Sequence, residues 1–325
     1  MILEIFGLIG LCLILIYATS LIVSSIKAIA RVSRLGTYGI TALILAISTS
    51  LPELMVSMVA ALEGNTSLIL GNIIGSNIAD LSLVIGGAAI LGGSLKVTGI
   101  VLSRDVYLTG AAGFLPIFLI ADGTLSRADG IVLLVVYMIL TATFLRSHYK
   151  SLAAHTMSNS LVRRLLVAVT NGGNTHHGVS KFVLGVGLLL VSSHFIVRLA
   201  TSLALTTGLP NLFIGLFIVS IGTSLPELAF EIRTVMSGQA KMALGDLLGS
   251  VVANSTLVLG LAAVIRPLTL THLGLIPYAM AIGAFTSIYL GFILFVRSKS
   301  RLDWWEGLLL LCGFFAFMLI ELMNA

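Results

Sequence analysis

Long apolar runs separated by short polar segments dominate the chain. Ten windows of about 17–27 residues contain mostly apolar side chains, and each is long enough to cross the ~30 Å hydrocarbon core as a helix. The alternating pattern of a membrane β-barrel is absent. Because lipid leaves no backbone group unpaired, the pattern predicts an all-α integral membrane protein with about ten transmembrane helices. Their approximate spans are 3–26, 37–62, 68–92, 102–121, 130–146, 180–206, 211–236, 242–264, 273–296 and 304–323.

The composition supports a membrane protein. Only 10% of the 325 residues are charged and 58% are hydrophobic, whereas a soluble domain carries about 25% charged residues. The first apolar run lacks a basic flank and a small-residue cleavage site, so we expect it to be retained as a helix. Cys12 and Cys312 both fall inside predicted spans, and a disulfide framework is not expected.

The basic residues are unevenly distributed among the loops. When the loops are numbered alternately, one side of the membrane receives 14 of the 18 Lys and Arg residues. By the positive-inside rule that side is cytoplasmic, which places both termini outside and requires an even number of spans. The net charge of +5 therefore reflects the topology of a multi-pass cell-membrane protein, and no nucleic-acid or obligatory protein partner is expected.

An internal repeat relates the two ends of the chain. Residues 45–86 align without gaps on residues 219–260, at a constant offset of 174, with 16 of 42 positions identical including the run TSLPEL. Five predicted spans separate the two copies, an odd number, so the copies enter the membrane from opposite sides. Inverted repeats of this kind are typical of secondary transporters, with the binding site near the midplane between the halves.

The repeat divides the chain into two halves. Residues 1–147 are predicted to form a first five-helix half that contains the repeat at 45–86. Residues 180–325 form a second half that contains the repeat at 219–260, and the polar segment 148–179 is a cytoplasmic linker.

Each copy of TSLPEL places a proline and a glutamate at membrane depth. Pro52 and Pro226 have no N–H group, so the carbonyls four residues earlier, at Ser48 and Gly222, lose their helical donor. Irregular backbone at this depth is tolerated where it is buried in protein or lines a cavity. Freed carbonyls, Thr and Ser hydroxyls, and the Glu carboxylates together are the oxygen ligands of a hard cation such as Ca²⁺ or Na⁺.

The second part of each repeat adds further oxygens. Asn72, Ser76 and Asp80 share one helix face by their spacing, and Asp246, Ser250 and Asn254 do the same in the other copy. The G-x-x-x-G pairs beside them, Gly71/Gly75 and Gly245/Gly249, favour close helix packing. Ionisable residues inside a membrane indicate an ion pathway. Arg198 and Arg233 are expected near span ends, so a transported cation is the natural counter-charge.

These residues resemble a known family. TSLPEL…GNIIGSNIAD and GTSLPEL…GDLLGSVVAN are similar to the two α-repeats of the Ca²⁺/cation antiporter superfamily, most closely its sodium/calcium exchanger branch. The resemblance implies a site for transported Ca²⁺ and Na⁺, with no cofactor and no enzymatic activity. It also implies that the first helix of each half slides past the core. The residues implied as ion ligands are Ala46, Thr49, Ser50, Glu53, Ser76, Asp80, Ser220, Thr223, Ser224, Glu227, Ser250 and Asn254.

The chain departs from that pattern at one pair of aligned positions. Prokaryotic relatives commonly carry Asn where this chain has Asp80 and Asp where it has Asn254, so the pair is exchanged here. Ion stoichiometry and potassium dependence therefore stay open. An H⁺/Ca²⁺ antiporter and a K⁺-dependent Na⁺/Ca²⁺ exchanger are the alternatives, and H⁺ is expected to compete for the carboxylates. A channel is disfavoured by the inverted repeat, and an intramembrane aspartyl protease by the absence of its signature.

Overall fold

The structure is a computed structural model that describes residues 2–32, 49–92, 95–96, 100–152, 175–238, 240–270, 275–299 and 301–324. Thirteen α-helices make up most of this part of the chain. Their bounds are α1 Ile2–Val32, α2 Leu51–Glu63, α3 Thr66–Ala79, α4 Ile85–Gly92, α5 Ile100–Leu119, α6 Arg127–Leu152, α7 Thr175–Thr207, α8 Asn211–Phe213, α9 Ser220–Met236, α10 Ala240–Val252, α11 Leu259–Ile265, α12 Leu275–Lys299 and α13 Trp304–Asn324.

Three of the helix junctions are π-helical, so the helices on either side run on into each other. The segment Asp80–Val84 joins α3 to α4, Ile214–Val219 joins α8 to α9, and Ala253–Val258 joins α10 to α11. A π-turn accommodates one extra residue per turn without ending the helix, and such turns are frequent at functional sites.

The helical surface suits a lipid environment. Within the described residues, seven helical stretches are long and apolar enough to cross a membrane, and large apolar side chains such as Phe118 and Leu205 are 75% and 81% exposed on the outside of the bundle. Exposed apolar area on this scale is the mark of a membrane-facing surface. The prediction of a helical integral membrane protein is therefore confirmed. The count of ten spans stays a prediction, and residues 37–48 of the second predicted span lie outside the described residues.

The all-α architecture also contains two short β-ribbons that the sequence did not predict. Strand β1 (Leu95–Lys96) pairs antiparallel with β4 (Arg301–Leu302), and β2 (Thr124–Leu125) pairs antiparallel with β3 (Leu268–Thr269). Each ribbon joins two loops at helix ends, where extended backbone needs partners for its N–H and C=O groups. The ribbons are two residues long, too short for the apolar pattern to reveal.

Helices α1 and α7 pack directly against each other. A Cβ atom added at Gly185 of α7 would lie 2.7 Å from Ile22 Cγ1 of α1, and one added at Gly7 would lie 3.0 Å from Leu199 Cδ1. The small residues therefore let the two helices approach closely at both ends. The motion that the resemblance implies for these helices stays a prediction.

Glycines also bring α3 against the segment that precedes α9. A Cβ added at Gly71 would lie 2.5 Å from the Leu212 carbonyl oxygen, and one added at Gly75 would lie 2.3 Å from that of Leu216. The predicted packing role of the first G-x-x-x-G pair is therefore confirmed. In the second copy, a Cβ added at Gly245 would meet no atom within 4 Å, so close packing at that glycine is not seen.

Two further contacts involve glycines that are aligned in the repeat. Gly86 of α4 meets Gly307 of α13, where an added Cβ would lie 2.6 Å from the Gly307 carbonyl oxygen. Gly260 of α11 meets Gly130 of α6, with the corresponding distance 2.9 Å. Because Gly86 and Gly260 are aligned in the repeat, the two copies make equivalent glycine contacts here.

Candidate cation-binding site

The two TSLPEL copies begin their helices differently. Helix α2 starts at Leu51 and has Pro52 in its first turn, a position where a missing N–H costs nothing. Helix α9 instead continues through Pro226, so the backbone irregularity expected at this proline does not end the helix in the second copy. The carbonyl of Gly222 still lacks its helical donor there, because proline carries no N–H group. Ser48 and the predicted ligand Ala46 lie outside the described residues.

Hydroxyl groups of the two copies meet at the centre of the bundle. The Oγ1 of Thr49 lies 3.3 Å from the Oγ of Ser250, and the Oγ of Ser76 lies 3.5 Å from the Oγ1 of Thr223. Thr49 is aligned with Thr223 in the repeat, and Ser76 with Ser250. The two contacts are therefore the same contact made twice, once from each copy, and they bring both copies into one site.

The Thr223 hydroxyl lies near more hydrogen-bond acceptors than its single proton can satisfy. Its Oγ1 lies 3.1 Å from the Ser220 carbonyl oxygen and 3.4 Å from Asn72 Oδ1, in addition to the contact with Ser76. A hydroxyl has one proton to donate, so Thr223 can donate to only one of these oxygens at a time. The predicted ligand Ser220 is thus in the site through its carbonyl, while its own hydroxyl donates to the Leu216 carbonyl.

Three carboxylates surround these hydroxyls. Glu53, Asp80 and Glu227 are between 1% and 3% exposed. The three carboxylates interact electrostatically: the charge of Glu53 interacts with Asp80, and the charges of Glu53 and Asp80 interact with Glu227. Both carboxylate oxygens of Asp80 and Oε2 of Glu227 are buried without a hydrogen bond. Buried acceptors are normally satisfied, so this cluster is short of positive charge or donors.

The remaining predicted residues are buried in the same region. Ser50 Oγ and Asn254 Oδ1 also lack a hydrogen bond, whereas the hydroxyls of Thr223 and Ser224 interact with the Glu53 carboxylate. The eleven predicted residues that the structure describes are all at most 4% exposed. They come from the two residues that precede α2, from α2, α3, α9 and α10, and from two of the π-helical junctions.

The exchanged pair of aligned residues, Asp80 and Asn254, lies in two of the π-helical segments. Asp80 is the first residue of one π-segment and Asn254 the second residue of another, and the two positions are aligned in the repeat. A π-turn rotates the residues that follow it relative to an α-helix, which sets the direction of the side chains at the site. The sequence carries no signal that predicts these turns.

One further polar contact was missed by the sequence analysis. Asn77 Nδ2 donates to Ser255 Oγ at 2.8 Å, joining α3 to the π-segment after α10, and both residues are at most 4% exposed. Asn77 lies one residue after Ser76, and a lone amide in an apolar run is the only signal that could have drawn attention to it.

Arginine does not neutralise the cluster at either position considered from the sequence. Arg198 is exposed and its Nε lies 3.9 Å from Oε1 of Glu63, which also contacts His194 at 3.2 Å. Arg233 is exposed in the last turn of α9. Within the described ranges no three His, Cys, Asp or Glu side chains form a metal-binding group by themselves. A cation held here would therefore also need hydroxyl, amide and carbonyl oxygens, the mixed set that hard cations accept.

Comparison with known proteins agrees with this chemistry. A family model described as sodium/calcium exchanger protein matches residues 3–146 and 177–323. The putative antiporter CaxA of Alkalimonas amylolytica is 34% identical over 268 residues, 81% of each chain. The sodium/calcium exchanger MaX1 of Methanosarcina acetivorans is 25% identical over 341 residues, 94% of this chain and 95% of that protein.

Solved structures show the same architecture. The sodium-calcium exchanger NCX_Mj, soaked with 2.5 mM Na⁺ and 10 mM Sr²⁺, matches with a TM-score of 0.65 at 25% identity and covers 97% of this chain and 98% of its own. The H⁺/Ca²⁺ exchanger CAX matches with a TM-score of 0.75 at 15% identity over 99% of this chain and 86% of its own, which shows the fold alone. The chain therefore belongs to the sodium/calcium exchanger protein family.

Proposed function

We propose that the chain is a secondary-active antiporter that exchanges Na⁺ for Ca²⁺ across the cell membrane by alternating access. Its family is one of Ca²⁺/cation antiporters, which are transporters and not enzymes. The ions bind at the site formed by Thr49, Ser50, Glu53, Ser76 and Asp80 of the first copy. The second copy contributes Ser220, Thr223, Ser224, Glu227, Ser250 and Asn254.

One observation carries the proposal. The paired contacts Thr49–Ser250 and Ser76–Thr223 bring oxygens of both copies together beside carboxylates that lack hydrogen bonds. Buried carboxylates in an apolar bundle are costly unless they are paired with positive charge. A transported cation supplies that charge, and ionisable groups at this depth are typical of ion pathways.

The charge of the site explains why two ions would exclude each other. Ionised Glu53, Asp80 and Glu227 carry about −3 in a medium of low dielectric. One Ca²⁺ or several Na⁺ offset most of this charge, and because they use the same oxygens they compete. Moving the bare carboxylates across the membrane is unfavourable, which suppresses uncoupled leak.

The proposed topology follows from the repeat. Residues 1–147 and 180–325 form two inverted five-helix halves, residues 148–179 form a cytoplasmic linker, and both termini lie outside. The equivalent glycine contacts of Gly86 and Gly260 support two halves of one plan. Attaching a membrane-impermeant label to a cysteine introduced after Met1 would test the position of the N-terminus, in a Cys12→Ser, Cys312→Ser background.

Transport into proteoliposomes tests the function. Vesicles loaded with Na⁺ and diluted into Na⁺-free ⁴⁵Ca²⁺ should accumulate ⁴⁵Ca²⁺, and Glu53→Gln should abolish this uptake because it removes a buried ligand charge. Glu63→Gln is the matched control, since Glu63 lies at the end of α2 and pairs with His194. Absence of Na⁺-driven uptake by the wild-type chain, with folding intact, would refute the proposal.

Proton coupling is the second candidate, because a carboxylate cluster can release Ca²⁺ in exchange for H⁺ as well as for Na⁺. Imposing a pH gradient without Na⁺ separates the two: Ca²⁺ flux that follows the pH gradient and ignores Na⁺ would assign the H⁺/Ca²⁺ exchange. Adding K⁺ to the Na⁺-loaded vesicles tests the K⁺-dependent variant in the same assay.

The exchanged pair tests whether both copies form one site. Asp80→Asn should abolish Ca²⁺ exchange, because the cluster loses a carboxylate. Combining it with Asn254→Asp returns the charge from the aligned position, and should restore part of the exchange. A double variant as inactive as the single one would mean that the two positions do not share a site.

A further inference from the structure

A small cavity lies between α3, α5, α12 and the π-segment that follows α10. It has a volume of about 30 Å³, and the polar side chains that line it are those of Asn77, Ser255 and Tyr278. The other side chains of the lining are apolar. Asn77 directly follows the site residue Ser76, and Ser255 directly follows Asn254. The cavity therefore borders both copies of the repeat, one residue away from a proposed ion ligand in each.

The Asn77 amide has one polar end without a partner. Its Nδ2 donates to Ser255 Oγ at 2.8 Å, whereas its Oδ1 is buried and accepts no hydrogen bond from the described residues. Asn77 is 4% exposed and lines the cavity. Buried polar groups in proteins are normally hydrogen-bonded, either to protein or to ordered water. The Oδ1 of Asn77 therefore indicates a donor that the described protein groups do not supply.

The Ser255 hydroxyl contributes a proton that also needs an acceptor. It accepts the bond from Asn77 but donates to no group in the described part of the chain, whereas its neighbour Thr256 donates to the Val252 carbonyl. One water molecule can donate to Asn77 Oδ1 and accept the Ser255 proton. Rotating the amide by 180° would let Ser255 donate to Oδ1 and would turn the Nδ2 protons to the unsatisfied position. A water can accept one of these protons, so a partner is needed in either orientation of the amide.

The cavity has the size and the polarity of a water site. A buried water needs about 10–15 Å³ of space and about three polar partners. The volume of about 30 Å³ meets this need and excludes an organic ligand. Tyr278 is 8% exposed and adds a phenol group to the lining. All three polar side chains are uncharged, so the lining offers a cation no counter-charge, and water is the ligand that fits.

The corresponding positions of the repeat are apolar. At the offset of 174, Asn77 aligns with Val251 and Ser255 aligns with Leu81. Both apolar side chains are 0% exposed. These positions are thus fully buried in the other alignment partner without any polar side-chain atom, and packing alone does not account for the amide and the hydroxyl.

We propose that Asn77 and Ser255 hold one water molecule in this cavity, and that the resulting bridge orients the ion ligands beside it. The backbone N–H of Asp80 donates to the carbonyls of Ser76 and Asn77, so fixing Asn77 also fixes the start of the π-segment that carries Asp80. Ser255 lies in the π-segment that carries Asn254. Groups that hold metal ligands in place contribute to metal affinity without touching the ion. The water needs no transported ion, whereas its effect on the ligands rests on the proposed function.

A crystal structure of the full chain, at a resolution that shows other buried waters, tests the water site. One water peak should lie about 2.7–3.2 Å from both the Asn77 amide and the Ser255 hydroxyl. Asn77→Val with Ser255→Leu, which installs the residues of the aligned positions, should remove the peak because both partners are lost. Ile117→Val is the matched control, since it changes an apolar wall of the cavity and keeps both polar partners; it should retain the peak. A wild-type structure without the peak, or a double variant that keeps it, would overturn the water site.

Ca²⁺ binding tests the effect on the ligands. Equilibrium dialysis of the full chain against ⁴⁵Ca²⁺ in Na⁺-free buffer should give a dissociation constant about tenfold higher in the double variant than in the wild type. Ile117→Val should leave the constant unchanged. An unchanged constant in a double variant that has lost the water would overturn the role of the bridge.

A single substitution decides if the double variant does not fold. Asn77→Leu removes both amide groups at similar side-chain volume, so the water peak should disappear and the dissociation constant should rise. A persistent peak or a wild-type constant in this variant overturns the inference. A wild-type chain that shows the water but binds no Ca²⁺ contradicts only the proposed function, and one that exchanges Ca²⁺ without the water contradicts only the bridge.

Discussion

The contact between α3 and the segment before α9 can be tested with a single methyl group. Gly75 lies within α3, directly before Ser76, a residue of the proposed site. An added Cβ would lie 2.3 Å from the Leu216 carbonyl oxygen and 2.6 Å from Ser220 Oγ, whereas ordinary contacts begin at 3.4 Å. The Leu216 carbonyl is backbone and cannot rotate away, so Gly75→Ala must separate the two elements by about 1 Å.

The separation has a cost in stability and in ion binding. Overpacking costs about 1–3 kcal/mol, and the better helix propensity of Ala returns up to about 1 kcal/mol. The Ser76–Thr223 oxygen distance of 3.5 Å would grow to about 4.5 Å. Ca²⁺–oxygen distances are about 2.3–2.6 Å, so the two hydroxyls could then share one ion only from nearly opposite sides. Losing about 1.4 kcal/mol of binding raises the dissociation constant tenfold.

Two measurements check this prediction. Na⁺-driven ⁴⁵Ca²⁺ uptake by Gly75→Ala should need about tenfold more Ca²⁺ for half-saturation, and thermal unfolding followed by tryptophan fluorescence should occur at a lower temperature. Gly283→Ala in α12 is the matched control, because a Cβ there meets no atom within 4 Å. Wild-type affinity and stability in Gly75→Ala would refute the close approach of the two elements.

Three further predictions concern the site and its supports. Thr223→Val should weaken Ca²⁺ binding while Thr223→Ser retains it, since only the hydroxyl is needed; equal loss in both would assign the residue to packing. Asn77→Leu should lower the free energy of unfolding by about 1–3 kcal/mol, measured as a lower thermal unfolding temperature, because Ser255 is left buried without its donor. Adding Ser255→Ala should recover part of the loss. Lowering the pH from about 8 to about 5.5 should inhibit Ca²⁺ uptake, because protons compete for Glu53 and its neighbours, and a flat profile would contradict this.

The sequence was sufficient for the features that depend on composition and on identity between the copies. Apolar runs revealed the helices, because lipid requires each crossing to be a long apolar helix. The shared TSLPEL run identified Glu53 and Glu227, because a carboxylate and a proline are both expensive in such a run. Because these residues are energetically costly in an apolar run, their presence there can be recognised from the sequence.

Features that depend on backbone geometry could not be predicted in this way. The π-turns at Asp80 and Asn254 change the helix by one residue without any special residue type. The β-ribbons involve two residues per strand, below the length at which alternation can be read. The uninterrupted helix through Pro226 also contradicts the sequence rule, because the surrounding bundle can hold a helix together where one hydrogen bond is missing.

Differences between the aligned residues matter more than their identities for the direction of transport. If the halves are inverted, as proposed, opening to the other side exchanges the surroundings of each residue with those of its aligned partner. A chain with two identical copies would then have inward and outward states of equal free energy in a symmetric membrane. Residues such as Thr49 and Thr223 can build the site but cannot favour either face. Any such preference must arise where the halves differ, and among the buried positions of the repeat the differences in charge are Asp80 against Asn254, Glu231 against Ser57 and Asp246 against Asn72.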